Sequence, residues 1–239
     1  MKKVVVLLAV ALVAVPVLAG QIVPADAGRP IFSRGVTSGS GLQRTDVVYS
    51  NITVGPTAGF APLNSPVNEI GDDLTMTAGG MLDSLQFSVY NSSTSGGALS
   101  TADLTLNFYD ADYSDPANPV LTLAGTLSYP GTDLALPVGY YSTFEITGIS
   151  ADQSIILSSD IVATLTVSNV TGGATKIGQV MMDPPTVGSS TDNFYMNGSW
   201  YYFGGDPVAN MYWEVGVVPV PEPAALGLLA LGGVLIRRR

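Results

Sequence analysis

The chain has 239 residues, with 19 Asp and Glu against 9 Lys and Arg and neither Cys nor His, for a net charge of −10. Without Cys there is no disulfide staple, thiol nucleophile or zinc–thiolate site; without His there is no Ser-His-Asp triad, Cys-His pair or His-ligated metal. An acidic surface also repels nucleic acid and anionic lipid.

Met1-Lys2-Lys3 is a short basic start, Val4 to Leu18 is an apolar run, and Val17-Leu18-Ala19 supplies small residues at the positions a signal peptidase reads. Residues 1–19 therefore predict a secretory signal peptide cut after Ala19, with Ala27 as the alternative. Residues 20–44 are rich in Pro, Gly and Ser without periodicity, which predicts a flexible lead that pairs late, as an edge strand. Over residues 25–218, the body between the two end segments, Arg29, Arg34, Arg44 and Lys176 are four cations against 18 acidic residues, leaving 4 − 18 = −14.

From residue 45 to 218 the dominant pattern is alternation with period two. Leu85, Phe87 and Val89 alternate with Gln86 and Ser88. Leu104, Leu106 and Phe108 alternate with Thr105 and Asn107. Leu121 and Leu123 flank Thr122, and Ile161, Ala163, Leu165 and Val167 alternate with Val162, Thr164 and Thr166. Each run predicts a strand with one face inward. Residues 46–54, 143–149, 178–182, 194–203 and 211–218 add weaker strands. Gly79-Gly80, Ser92 to Gly97, Asp115 to Pro119, Pro130-Gly131, Gly172-Gly173, Asp183-Pro184-Pro185 and Gly204-Gly205 punctuate them as turns. The expected fold is all-β: a single antiparallel sandwich over 45–218, jelly-roll-like, with about 8 to 10 strands.

Four features of the body bear chemistry. Asp110, Asp112 and Asp115 alternate at a strand end, with Asn118 nearby, as oxygen ligands of Ca²⁺ do; the EF-hand pattern itself is not met. Asp72-Asp73 is a weaker candidate of the same kind. Phe194, Tyr195, Trp200, Tyr201, Tyr202, Phe203, Tyr212 and Trp213 form an aromatic cluster, in which Trp200, Tyr202 and Trp213 are the expected sugar contacts; filling the core is the rival role. Glu145 and Glu214 are the candidates for a carboxylate-only glycosidase, which needs two facing acids. Asn51, Asn91, Asn169 and Asn197 satisfy the glycan acceptor pattern.

The chain closes with Pro221-Glu222-Pro223, an uncharged run from Ala224 to Ile236, and Arg237-Arg238-Arg239. The prolines hold the motif extended. Ala and Leu favour a helix over the next 13 residues. At about 1.5 Å per residue it reaches about 20 Å, short of a hydrocarbon core of about 30 Å. The arginines keep the end cytoplasmic and turn the body outward. These residues resemble the PEP-CTERM sorting domain of exported bacterial proteins, and the resemblance covers only this tail. It implies that Pro221, Glu222 and Pro223 are the recognition motif of exosortase, a membrane-embedded transpeptidase or protease, and that Arg237, Arg238 and Arg239 are the stop cluster.

Residues 103–110, 188–194, 198–205 and 210–212 loosely resemble the bodies of exported PEP-CTERM proteins, a group mostly of unknown function. The implied partners are the Sec translocon and exosortase, with transient inner-membrane association and exopolysaccharide at the destination. The expected protein is non-catalytic, has no cofactor beyond the candidate Ca²⁺, and lies at the cell surface, outer envelope or outside. A carbohydrate-binding module is the alternative and a glycosidase the third reading.

Overall fold

The computed structural model describes residues 23–24, 45–52, 60–63, 69–91, 93, 97–115, 119–182, 184–203 and 210–220. The expected signal peptide and the tail from Pro221 lie outside the described residues. Among those described, no helix is long and apolar enough to cross a membrane.

The chain folds into two antiparallel sheets. The first has nine strands: β1 (Val23–Pro24), β2 (Asp46–Ser50), β3 (Phe60–Leu63), β5 (Gly80–Asn91), β8 (Tyr141–Thr147), β9 (Ile156–Leu157), β11 (Ile177–Met182), β14 (Asn210–Met211) and β15 (Trp213–Val218). β5 is its spine, with β8 and β9 on one flank and β15 and β11 on the other. The second sheet has six strands: β4 (Ile70–Thr75), β6 (Leu99–Asp112), β7 (Val120–Leu136), β10 (Asp160–Ser168), β12 (Asn193–Met196) and β13 (Ser199–Tyr202). Their order is β13-β12-β4-β10-β6-β7. One short helix, α1 (Ile149–Asp152), follows β8.

Alternation explains how the sheets meet. Leu85, Phe87 and Val89 of the first sheet and Leu104, Leu106, Phe108, Ile161, Ala163 and Leu165 of the second are buried in one shared cluster. Phe87 stacks on Phe144 at 5.2 Å between ring centroids and lies 6.1 Å from Trp213. The all-β expectation stands in this sandwich-like pair of sheets.

Three details differ from the expected pattern. The strand segments number fifteen among the described residues, because pieces as short as two residues pair on their own. Pro130-Gly131 is no break: β7 runs through it as a bulge opposite Ala102 and Leu104. The edge position asks no hydrogen bond of Pro130, and Gly131 takes φ 61°. Leu123 faces solvent, 55% exposed, because the β6–β7 hairpin carries a second bulge at Phe108/Tyr109, which sets it opposite outward-facing Tyr109.

A polar clasp joins the sheets. Asp72 lies in register with Ala163, so its side chain shares the inward face with Ile70 and Leu74. Its Oδ2 accepts the Met211 N–H at 2.7 Å, a bond from the second sheet to the first. Asn51 completes the clasp: its Nδ2 donates to the Met211 carbonyl at 2.6 Å and its Oδ1 accepts the Trp213 N–H at 2.9 Å. Backbone groups in an interior must be paired, and orphaning one costs about 1–3 kcal/mol. Asn51→Ala orphans two, so urea unfolding should show a loss of about 2–4 kcal/mol. The exposed Ser128→Ala on edge strand β7 serves as control and should shift stability by under about 0.5 kcal/mol. Equal effects of the two substitutions would contradict the clasp.

Candidate functional site

The outer face of the six-stranded sheet carries one row of residues across all six strands. In register it runs Trp200, Tyr195, Gly71, Thr164, Asn107, Thr126. Their neighbours Phe194, Ile70, Leu165, Leu106 and Leu127 belong to the core side. Strand alternation therefore turns the row away from the core.

Aromatic rings occupy one end of the row and hydrogen-bonding groups the other. Tyr195 and Trp200 meet edge to face at 5.7 Å, and Tyr109 lies 6.3 Å from Tyr195. Trp200 and Tyr195 are half-buried, and Tyr202, two residues from Trp200 on the same face, is 70% exposed. Glu69 enters from just before β4 and gathers the polar end. Its Oε1 accepts from the Thr164 hydroxyl at 2.6 Å, the Tyr109 hydroxyl at 2.9 Å and Asn107 Nδ2 at 3.0 Å. Asn107 Oδ1 in turn accepts from the Thr126 hydroxyl at 2.8 Å. Asn197, held at φ 47° in the β12–β13 turn, accepts the Glu69 N–H and ties that hairpin to the start of β4. Burial, followed by the bond to Glu69 and its charge, pushes the Tyr109 hydroxyl pKa up, so it stays a donor. Gly71 keeps the row closed: a Cβ there would lie 2.2 Å from the Ala163 carbonyl oxygen.

Such a face suits a polyol. Rings offer apolar surfaces to the C–H faces of sugars, and a few placed carboxylate, amide and hydroxyl groups match ring hydroxyls.

The expected site residues divide between surface and interior. Trp200 and Tyr202 share the outer face. Trp213 does not join them: it is 0% exposed, because its parity with Val215 and Val217 puts it on the inner face against Phe87. Tyr201 stacks on Phe194 at 5.3 Å, with Phe203 on the same ring at 4.3 Å; Phe194 and Phe203 extend the core edge and Tyr201 covers it from the solvent side. Glu69, Asn107, Tyr109, Thr126 and Thr164 were not singled out in the sequence. Their one signal there was the outward phase of the alternation.

Asp110 accepts the Ser158 N–H of the β9–β10 turn at 2.8 Å, and Asp112 accepts the Ser114 N–H of its own turn at 2.8 Å. Among the described residues no group of three or more Asp or Glu is placed to hold a metal. Asn51 and Asn91 are buried and hydrogen-bonded within the fold, which excludes glycans there; Asn169 and Asn197 are exposed.

Glu145 and Glu214 come to one outer face of the nine-stranded sheet, on either side of Gln86. Two strand spacings put their backbones about 10 Å apart. Glu214 accepts from Ser50 Oγ at 2.9 Å and from Gln86 Nε2 at 3.4 Å. Burial raises its pKa, the Ser50 bond partly offsets this, and the Glu145 charge adds to the rise.

No family model, curated protein or solved structure matches this chain. The site therefore rests on its own geometry.

The raised Glu214 pKa makes stability depend on pH. The folded state holds this proton more tightly than the unfolded chain, whose carboxyl titrates near 4.5. Its contribution is fully present below that value and is lost as pH rises through the raised one. Thermal melts of Glu214→Gln from pH 4 to 8 should therefore show a shallower decline than wild type. Identical slopes would contradict the assignment.

Proposed function

We propose that this chain is an exported, non-catalytic cell-surface or matrix protein that holds polysaccharide on the outer face of its six-stranded sheet. The observation that carries the reading is the row from Trp200 and Tyr195 to Thr164, Asn107 and Thr126, with Glu69 bonded across it. It joins stacking surface to hydroxyl-matching groups on one face, as a carbohydrate-binding module requires. The net charge of −14 in the body favours neutral glycans over anionic ones.

The finer architecture in this reading is a jelly-roll-like sandwich between a cleaved signal peptide and a short apolar C-terminal helix. Export through the Sec translocon and sorting by exosortase rest on the two ends of the sequence. Pro221 to Pro223 serve as the motif and Arg237 to Arg239 as the cytoplasmic stop, with transient inner-membrane anchoring between.

Binding is read through tryptophan fluorescence. The chain has 2 Trp, and Trp213 is sealed in the core, so a response to added glycan belongs to Trp200. A panel of neutral and acidic polysaccharides should include one that quenches the wild type. Trp200→Ala should bind it about 10- to 30-fold more weakly, the usual effect of removing a stacking anchor. The same mixtures should release no new reducing ends, which separates binding from hydrolysis by Glu145 and Glu214. Quenching by no glycan, or undiminished affinity in Trp200→Ala, would sink the reading.

Sorting is tested in the producing cell. Deletion of Pro221 to Pro223 should leave the precursor in the inner-membrane fraction, and normal release of that mutant would refute the exosortase assignment.

A further inference from the structure

Asp72 and Asp73 are 0% and 4% exposed, adjacent, and without a cationic partner among the described residues. Lys176, the one basic side chain among the described residues, is exposed and precedes β11, its backbone N–H bonded to Ser93. A buried carboxylate needs pairing, a proton or a metal. Burial pushes both carboxyl pKa values up, and for Asp72 the charge of its neighbour adds to this.

The oxygens around them have a definite spacing. Ser189 bridges Thr75 and Phe194 pairs with Asp72, so residues 190–192 bulge out beside the two carboxylates. Ser190 Oγ sits 3.4 Å from Asp72 Oδ1 and 3.4 Å from Asp73 Oδ1. Both distances are long for an O–H···O bond. Thr191 Oγ1 is 3.0 Å from the same Asp73 oxygen. Oxygens at right angles around an ion lie about 1.4 times the ion–oxygen distance apart. That gives about 3.4 Å for Ca²⁺ and about 2.9 Å for Mg²⁺.

A second observation points into this space. Tyr49 is 0% exposed and reaches across the interior from β2, and its hydroxyl completes no hydrogen bond. Its pKa is raised first by burial, then by the charges of Asp72 and Asp73, and is partly lowered by the neighbouring Ser190 hydroxyl. The Tyr113 hydroxyl, which the charges of Asp73, Asp160 and Asp72 also reach, is buried and has no partner either.

We propose that Asp72 Oδ1, Asp73 Oδ1, Ser190 Oγ and Thr191 Oγ1 form a binding site for a divalent cation of calcium's size, completed by water and faced by the Tyr49 hydroxyl. Asp72 Oδ2 stays on the Met211 N–H. The ion neutralises the interior charge and fixes residues 190–192, the segment that leads into β12 and the aromatic row. Two carboxylates place its affinity with that of extracellular modules, about 10⁻⁴–10⁻³ M. This inference does not depend on the polysaccharide reading.

Thermal unfolding of the full chain in EGTA and in about 10 mM Ca²⁺ tests it. Wild type should gain about 3–10 °C in Tm, and Mg²⁺ at the same concentration should give less than half of that. Asp73→Asn and Thr191→Ala should lose most of the gain, whereas Asp112→Asn should keep it. Tyrosine-sensitised Tb³⁺ emission gives an independent signal: present and displaced by Ca²⁺ in wild type, reduced at least about tenfold in Asp73→Asn. No gain in wild type would overturn the site. So would a gain or emission that survives Asp73→Asn, or one that Asp112→Asn abolishes.

Discussion

The bond from the Met211 N–H to Asp72 Oδ2 joins the two sheets, as does that from Asn91 Nδ2 on β5 to the Leu136 carbonyl on β7, by something other than apolar contact. It places a carboxylate inside the domain, where such a group is costly, and the surroundings are built to meet that cost. Asn51 takes the other side of Met211 and the N–H of Trp213, so the irregular step between β14 and β15 keeps its backbone paired. Around that step Met211 and Trp213 enter the main core, whereas Tyr212 joins Ile52, Val180 and Met182 in a second cluster.

β4 carries this clasp on one face and the aromatic row on the other. Asp72 turns inward, Gly71 beside it lets β10 approach closely, and Glu69, two residues before Gly71, reaches outward over Thr164 and Asn107. Residues 69–72 thus couple the interior to the surface. β12 pairs directly with β4, so Tyr195 and Trp200 inherit their position from the same strand.

Much of the core was legible in the sequence. Leu104, Leu106 and Phe108 face inward as their alternation with Thr105, Asn107 and Tyr109 requires. Parity also held the answer for Trp213, which shares its phase with Val215 and Val217. Aromatic content alone pointed to the surface, and parity decided for the core. Asp72 is parallel: Ile70 and Leu74 two residues either side mark its phase as inward, although its charge suggests a turn. The outward row was not legible, because Glu69 and Asn107 meet only through the strand order β4-β10-β6. No local pattern encodes which strands are neighbours. The exposure of Leu123 likewise follows from a bulge set by pairing, not from composition.

The central claim is that a glycan lies along the outer face of the six-stranded sheet, over Trp200, Tyr195 and Asn107. Hydrogen–deuterium exchange of the full chain, with and without a bound polysaccharide, tests it most directly. The account predicts slowed exchange confined to β12, β13 and the facing stretches of β4, β10 and β6. Protection centred instead on Glu145 and Glu214 of the nine-stranded sheet, or none on β12 and β13, would contradict it.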